Sequence, residues 1–515
     1  MSQIFLVALI AALQILESLT GSPATNVADV ISVGPGGDLQ AALNRVTPGG
    51  TVRLASGVTY VGNFRLPAKH GSSYVLITTG DGMLPPAGTR ISVSDKSRLA
   101  TIKSGNSAPA LATDSGATYY RIVGVAFEAN ANGAGDIIRL GDHDQRDFAE
   151  VPHHLELDRV IITGHPTAGQ KRGIAANAAH VLIANSDIRD IKAVGQDSQA
   201  IAGWNTPGPI TIRNNYLEAA GENIMFGGAH INLPGAVPSD IAVEDNVLTK
   251  NRAWRGSMWT VKNLFELKNA RRVLVRRNTL EYNWRGGQPG YAVVLTPRNS
   301  SGRTPWAVIE DVEFSGNVVR HSGSAFNLLG HDDTAPSGQL ARVMIRNNLL
   351  YDINHSTWGG AGIFVQIGGE PARITIDHNT VLHTGNIVTL YAGHYPTASG
   401  QKVTAGPVTG FVFTNNLLRH NAYGIFGSGQ GWGQGALNAY APGAVVRRNV
   451  MASDRGGDRY PSDNFFPPLA EFSAGFEDMN AAKYWLGTRS HYVGAGTDGR
   501  DVGCDFTKLP AEFRP

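Results

Sequence analysis

The sequence has few of the features that hold small or modular proteins together. Its 515 residues include a single cysteine, Cys504, which excludes an intrachain disulfide framework and a cysteine-based zinc site. Only 17% of the residues are charged, and 44 Lys plus Arg nearly balance 42 Asp plus Glu, so net charge selects no class of partner. The 62 glycines, with so few charges, predict short strands joined by tight turns rather than long amphipathic helices.

Long hydrophobic runs are also scarce. The N-terminal apolar run from Ile4 to Leu16 is too short to cross a membrane, but it suits the core of a secretion signal. No Lys or Arg precedes it, as one would in a typical signal, and a buried or disordered N-terminal helix is the alternative. We expect a signal peptide over residues 1–24, a secreted, periplasmic or cell-surface protein, and no membrane span.

What the chain has in abundance is a repeat. The segment ARVMIRNNLLYDIN (341–354) fits the template apolar, any, apolar, any, any, Asn, any, apolar. The template's Asn recurs at Asn215, Asn246, Asn278, Asn317, Asn348, Asn379, Asn416 and Asn449, and three earlier copies carry Ser186, Val160 and Val125 in its place. The period of two predicts strands with alternate side chains inward. Stacked ~4.8 Å apart, the Asn side chains would form a ladder at a corner, where Asn tolerates left-handed backbone.

One short strand pattern per repeat, with Gly-rich corners, resembles the right-handed parallel β-helix of the pectate-lyase-like superfamily over roughly residues 30–455. The resemblance implies an all-β, single-stranded right-handed parallel β-helix (solenoid). We expect an N-terminal cap over 25–60, the β-helix over 61–455 and a C-terminal capping tail over 456–515. In the N-terminal cap, Asp38 is predicted to cap a short helix whose Leu39, Ala42 and Leu43 cover the open end of the solenoid.

The Asn ladder offers no nucleophile and no titrating group, so we expect chemistry on another strand of each coil. Stacking the segments that follow the ladder brings together the polar residues Glu222, Glu266, Lys268, Arg298, His331, Asp332, Gln366 and His394. Basic groups beside carboxylates suit β-elimination on a uronate polymer, which needs a cation on the substrate carboxylate, a base and a proton donor. We assign Arg298 as neutraliser, His331 or Lys268 as base, and Glu222 or Asp332 as support or calcium ligand. Solvated ion pairs are the structural alternative.

Tryptophans fall in the loops beside this column: Trp204, Trp254, Trp259, Trp284, Trp306 and Trp358. Indole rings pack well against sugar faces, so a saccharide groove is predicted. The residues assigned to substrate binding are Trp204, Trp254, Trp259, Gln366 and His394.

Two other functions stay open. Hydrolysis needs paired carboxylates, which Asp332 and Asp333 in GHDD or Glu222 could supply, but the Gly-His-Gly of the polygalacturonase-like branch is not matched there. A non-catalytic glycan-binding or adhesion solenoid would keep the groove and lack a working base. The sequence requires no cofactor, and Ca2+ is the one that the resemblance suggests. The expected partner is an acidic polysaccharide and not a nucleic acid, because the basic residues at 268–277 form no continuous stripe. A monomer is expected.

A second polar column stands four residues after the ladder positions and comprises Lys250, Tyr282, His321, Asp352, His383 and His420. Its histidines are not consecutive in the stack, so a compact metal cluster is hard to build from them. We expect these residues to line a corner and to bond the backbone.

Overall fold

The computed structural model describes residues 29–80, 84–454 and 457–515, and its dominant feature is three long sheets. Sheet A has 14 strands, and sheets B and C have 13 each. The chain visits A, B and C in turn, and each strand pairs in parallel with the equivalent strand of the next coil, apart from one antiparallel pair at the end of sheet C. The predicted parallel β-helix is confirmed. The predicted signal peptide lies outside the described residues.

The strands are short and regular. Sheet A consists of Val30–Val33, Thr51–Leu54, Val75–Thr79, Thr118–Val123, His153–Asp158, Ala179–Ala184, Ile210–Arg213, Ser239–Glu244, Ala270–Arg276, Ile309–Ser315, Leu340–Arg346, Ala372–Asp377, Val412–Thr414 and Val445–Arg447. Sheet B consists of Thr59–Val61, Ala100–Lys103, Val125–Glu128, Ile161–Thr163, Asp187–Ile191, Tyr216–Ala219, Val247–Thr249, Thr279–Asn283, Val318–Ser322, Leu349–Ile353, Thr380–His383, Leu417–Arg419 and Val450–Ala452. Sheet C consists of Phe64–Leu66, Leu111–Thr113, Asp136–Leu140, Arg172–Ala176, Gln199–Gly203, Glu222–Phe226, Phe265–Leu267, Tyr291–Leu295, Ser324–Leu329, Val365–Gly368, Val388–Tyr391, Ile425–Gly427 and Gly431–Trp432.

Few other elements interrupt the coils. The α-helices are Leu39–Arg45, His355–Trp358, Gln434–Tyr440 and Leu469–Ala474. Single 3-10 turns occur at Val93–Arg98, Ala131–Gly133, Phe148–Glu150, Arg252–Trp254, Ser300–Gly302, Phe506–Lys508 and Ala511–Phe513. Two small hairpins pair His394–Pro396 with Lys402–Thr404 and Phe476–Asp478 with Lys483–Leu486. Among the described residues no helix is long and apolar enough to span a membrane.

The core is a column of stacked apolar side chains. Val312, Val343 and Ile374 occupy the same register position in three successive coils of sheet A, and all three are buried. One buried cluster of this kind extends from Ile31 to Tyr460. Because each coil contacts only its neighbours, the burial of apolar area accumulates along the solenoid rather than around one centre.

The Asn ladder lies at the corner between sheets A and B. Asn348 is fully buried; its Oδ1 accepts from the backbone N–H of Asn317 (2.9 Å), and its Nδ2 donates to Asn379 Oδ1 (2.9 Å) and to the Phe314 carbonyl (3.0 Å). The same contacts repeat from Asn215 to Asn449, and Asn464 ends the series. Each amide therefore satisfies backbone groups at a sharp, buried corner.

The ladder prediction was wrong in one detail. The left-handed residue at this corner is not the ladder Asn but the residue before it, as at Asn214 (φ 54°), Arg277 (φ 53°) and Asn347 (φ 54°). The turn happens one residue early because the ladder Asn must point inward to reach its neighbours. The preceding side chain lies outside the core, which explains why Arg and His also occur there.

The ends of the solenoid are covered differently. At the N-terminal end Asp38 Oδ1 accepts from the Ala41 N–H (2.9 Å), and the short helix buries Leu39, Ala42 and Leu43, as predicted. At the other end the helix Gln434–Tyr440 packs on the last parallel strand of sheet C. The final residues run back along the outside of the coils, where the Asp505 N–H donates to Asn347 Oδ1 (2.6 Å).

His383, at the end of a sheet B strand, makes folding stability depend on pH. The side chain is fully buried, and neither ring nitrogen has a side-chain or backbone hydrogen-bond partner of good geometry within the described parts of the chain. Burial lowers the pKa of His383 to about 3, so the unfolded chain binds the extra proton first as pH falls. We expect this group to remove about 1.4 kcal/mol of the free energy of unfolding per pH unit below 6.5, down to about pH 3.

Urea unfolding midpoints measured from pH 7 to pH 4 check this prediction. His383→Leu should flatten that pH dependence, whereas His70→Leu, at an exposed histidine, should leave it as in the wild type. An unchanged pH slope in His383→Leu would contradict the assignment.

Candidate functional site

The outward-facing side chains of sheet C are largely shielded from solvent, and we call this face, with the loops at either end of its strands, the groove. Glu266, Val294, Asn327 and Gln366 follow one another in register on its central strands, and all four are buried or half-buried. Loops between sheets B and C border one side, and loops between sheets C and A border the other. A polymer lying along this face would cross the coils in succession.

Two buried carboxylates from neighbouring coils lie in this groove, each paired with a lysine. Glu222 Oε1 is 3.5 Å from Lys262 Nζ, and Glu266 Oε1 is 2.5 Å from Lys268 Nζ. Lys268 Nζ also donates to Thr296 Oγ1 on the next coil (2.6 Å). We call Glu222, Lys262, Glu266 and Lys268 the acid–lysine cluster.

Amide side chains occupy the other carboxylate oxygens of the cluster. Gln199 Nε2 donates to Glu222 Oε2 (2.9 Å), and Asn263 Nδ2 donates to Glu266 Oε2 (2.8 Å). Behind Gln199 the polar row continues, because Arg172 Nε donates to Gln199 Oε1 (3.0 Å) and its Nη1 lies 2.6 Å from Asp136 Oδ1. Sheet C thus carries one connected polar row over five coils.

Burial dominates the electrostatics of the acid–lysine cluster. Removal of the Glu222 carboxyl from water raises its pKa, and the charges of Glu266 and Asp197 raise it further, against the opposing effect of Lys262. Lys262 also pairs with Asp197 at the groove edge. Lys262 and Lys268 both retain more contact with solvent than either glutamate.

A second group surrounds Arg298, just past the end of its sheet C strand. Its Nη1 lies 2.6 Å from Asp332 Oδ1 and also pairs with Asp333. Asp332 is buried and accepts in addition from the Asn299 N–H (2.8 Å) and from Thr334. Burial alone would raise the pKa of Asp332, but the hydrogen bonds from Thr334, Asn299 and Arg298 hold it below its usual value.

His331 lies beside Asp332 and is half-buried. Its ring stacks on Tyr395 with centroids 4.2 Å apart, and burial lowers the pKa of His331, so the imidazole is neutral at neutral pH. Tyr395 belongs to the hairpin that begins at the exposed His394. Gln366, in the groove floor, accepts from the Tyr291 hydroxyl (2.8 Å) and donates to Asn327 Oδ1 (3.2 Å).

The structure brings the predicted residues together as two adjacent groups, not as one row. Leu267 pairs with Leu295, so Lys268 stands level with Thr296, and Arg298 lies two residues further along its coil. The two groups touch through the backbone, where the Arg298 N–H donates to the Lys268 carbonyl (2.8 Å). The roles assigned to these residues stay predictions.

The tryptophans pack mainly against protein. Trp254, Trp284 and Trp358 are each less than a tenth exposed and form one cluster, with Trp259 at its edge. Lys192 Nζ lies 5.3 Å and 5.1 Å from the ring centroids of Trp254 and Trp259. Trp204 is also buried, beneath Arg172. In this conformation the indoles stabilise the loops that border the groove, and their contact with a sugar stays a prediction.

Sequence reasoning missed Lys262, Asn263 and Gln199, and it placed Lys250 only in a corner. In the segment VKNLFELKN (261–269), the side chains of Lys262, Asn263 and Lys268 contact the buried carboxylates of Glu222 and Glu266. The alternation of apolar and polar residues in FELK predicts a strand, whereas Lys262 and Asn263 precede that strand and carry no such pattern. The predicted second column does line the corner between sheets B and C, where His321 Nδ1 lies 2.8 Å from Asp352 Oδ2.

Comparisons with known proteins give neighbours of low similarity. No protein-family model matches the chain, and no curated protein does. A mannuronic acid specific family 6 polysaccharide lyase from human gut microbiota aligns at 11% identity over 85% of this chain and 91% of its own, with a TM-score of 0.46. A family 6 polysaccharide lyase from Pseudopedobacter saltans aligns at 12% identity over 92% and 99%, with a TM-score of 0.40. The surface adhesin PfbA of Streptococcus pneumoniae aligns at 12% identity over 71% and 88%, with a TM-score of 0.36.

The fold is a parallel β-helix. That statement rests on the three sheets of the chain itself. At these identities and TM-scores the neighbours, which include enzymes and an adhesin, carry no argument about the activity of this chain.

Proposed function

We propose that the protein is a polysaccharide lyase that cleaves an acidic, uronate-containing polysaccharide by β-elimination. The observation that carries the proposal is that two cations on successive coils, Lys268 and Arg298, each pair with a buried carboxylate, Glu266 and Asp332. A polyanion lying along sheet C would meet both cations, and the carboxylates behind them hold them in place.

The chemistry assigns one task to each of three side chains. Arg298 neutralises the substrate carboxylate, which acidifies the proton on the adjacent carbon. The neutral imidazole of His331 removes that proton, and the electron pair forms a C=C bond as the neighbouring C–O bond breaks. The ammonium of Lys268 gives a proton to the leaving oxygen, and no water is consumed. Asp332 supports Arg298, and Glu266 supports Lys268.

Hydrolysis is less well supported, because it needs two carboxyl groups that flank the scissile bond. Asp332 is buried and already accepts hydrogen bonds from Asn299, Thr334 and Arg298. Glu222 and Glu266 are also buried, beneath the groove surface. As they stand, none of these carboxyls is free to act on a glycosidic bond.

The acid–lysine cluster does not fit a calcium ion as it is arranged. Calcium takes six to eight oxygen ligands, whereas nitrogen groups of Gln199, Lys262, Asn263 and Lys268 occupy the Glu222 and Glu266 oxygens. The one grouping of three potential ligands within the described residues is the exposed Asp142, His143 and Asp144. No step of the proposed reaction passes through a metal.

A substrate panel tests the proposal. The purified protein is incubated with pectate, alginate, glycosaminoglycans and neutral glycans, each with calcium and with a chelator, and both ultraviolet absorbance and reducing ends are followed. We expect absorbance from a new C=C bond on at least one of the uronate-containing polysaccharides and on none of the neutral glycans. Reducing ends without absorbance would indicate a hydrolase, and retained binding without cleavage would indicate a glycan-binding module; either result would contradict the proposal.

A further inference from the structure

One buried charge beside the acid–lysine cluster has no part in the mechanism above. Lys250 follows a sheet B strand, is 1% exposed, and points into the corner between sheets B and C. Its Nζ lies near five oxygens: the carbonyls of Ala219 (3.1 Å), Ala220 (2.9 Å), Gly221 (2.6 Å) and Asn263 (3.0 Å), and the side-chain Oδ1 of Asn223 (3.5 Å). We call these five oxygens the Lys250 cage.

The cage is built for a cation. An ammonium group has three protons to donate, but five oxygens surround it, as in the coordination shell of a metal ion. None of the five belongs to a carboxylate, so the charge has no salt-bridge partner within the cage. Burying such a charge is costly unless nearby groups compensate it. Burial lowers the pKa of Lys250 to about 7, and the negative charge of Glu222 acts against that lowering.

The cage also joins the two chain segments that carry the carboxylates. Gly221 immediately precedes Glu222, and Asn263 is the residue whose side chain donates to Glu266. Asn223 completes the junction, because its Nδ2 donates to the carbonyls of Leu217 (2.8 Å) and Thr249 (2.7 Å) on two successive coils. Lys250 therefore contacts both chain segments, the one that carries Glu222 and the one that carries Glu266.

We infer that Lys250 is an internal positioning residue of this site: its ammonium group, held in the Lys250 cage, fixes the relative placement of the chain segments that carry Glu222 and Glu266. The oxygens of Glu222 and Glu266 already contact nitrogen groups, so they leave no place for a divalent cation between them. Lys250 is a positioning residue, since it touches neither the groove nor a substrate. Its catalytic consequence rests on the proposed function, but the cage and its charge do not.

Chemical rescue tests the inference. In the full chain, Lys250→Ala empties the cage of its own cation, and the Tm is measured in ammonium, potassium and tetramethylammonium chloride at equal ionic strength. We expect a Tm below that of the wild type in tetramethylammonium and a recovery in ammonium, which fits the cage. The exposed Lys483→Ala should show no difference among the salts. An equal loss of Tm in all three salts would overturn the inference.

Two further readouts separate positioning from simple stability and from lyase activity. If the chain is a lyase, ammonium should restore turnover of Lys250→Ala together with its Tm; restoration of Tm without turnover would contradict the positioning role. On the wild type, calcium or a chelator should leave the Tm unchanged. A calcium-dependent rise in Tm that Glu222→Gln abolishes would overturn the inference, even if Lys250→Ala fails to fold. The Tm readouts need no activity, so they stand if the proposed function fails.

Discussion

Lys268→Met should lower kcat/KM on the cleaved polyuronate at least about 100-fold, the usual scale for losing one general acid or charge-stabilising donor. The substitution keeps much of the side-chain stem but removes the ammonium that lies 2.5 Å from Glu266 and donates to Thr296. The leaving oxygen then has no proton donor, and the buried Glu266 carboxylate loses its partner. Initial rates of C=C formation at low substrate concentration measure the effect.

A matched control lies four residues away on the same coil. Arg272 is on the outer face of sheet A, where its guanidinium pairs with Asp240 (2.7 Å) and both side chains are exposed. Arg272→Ala also removes one positive charge from this coil, but from the face of sheet A rather than that of sheet C. This variant should retain wild-type kcat/KM. Equal activity of Lys268→Met and the wild type, with both proteins folded, would show that the chemistry lies elsewhere.

Asn348→Leu should cost about 2 to 6 kcal/mol of the free energy of unfolding. The substitution keeps the side-chain volume similar, but it leaves the Asn317 N–H and the Phe314 carbonyl without their buried partner. Asn379 Oδ1 still accepts from the Asn348 backbone N–H (3.1 Å). Each orphaned group costs about 1–3 kcal/mol. Both neighbouring coils lose hydrogen bonds, because each ladder Asn is hydrogen-bonded to the Asn before it and the Asn after it.

Urea unfolding, monitored by circular dichroism, measures this loss of free energy of unfolding. Asn438→Leu, at an exposed position of the helix Gln434–Tyr440, is the control and should change the free energy of unfolding by about 0.5 kcal/mol or less. If Asn348→Leu unfolds within about 1 kcal/mol of the wild type, the ladder is not a stabilising network.

The scaffold could be predicted because the same pattern of side chains repeats in successive coils. Alternation at Val343 and Ile345, with Asn348 three residues on, repeats in every later coil, and a parallel stack forces equal positions into equal environments. The N-terminal cap could also be predicted, because Asp38 and the apolar side of its helix form a local sequence motif. What the pattern left open was the local geometry of the corner, where the turn falls on the residue before each Asn.

The site could be predicted only in part, because it depends on register across loops of unequal length. Glu222 and Lys268 were found as polar ends of strand segments, but Lys262 reaches Glu222 from the end of a loop whose path no periodicity describes. Lys250 was placed correctly at a corner, yet four of its five oxygen neighbours are backbone carbonyls, which carry no sequence signal. The tryptophans show the reverse problem, since composition does not distinguish an indole that packs against a sugar from one that packs against Trp358 and its neighbours.

The central claim is that this groove performs an elimination, and product stoichiometry tests it most directly. A polyuronate that the protein cleaves is digested to completion, and the products are examined by proton NMR for vinyl protons and by a reducing-end assay. Elimination predicts one C=C bond for every new reducing end, with the yield lost in Lys268→Met. New reducing ends without vinyl protons, or no cleavage of any uronate-containing polysaccharide, would contradict the account.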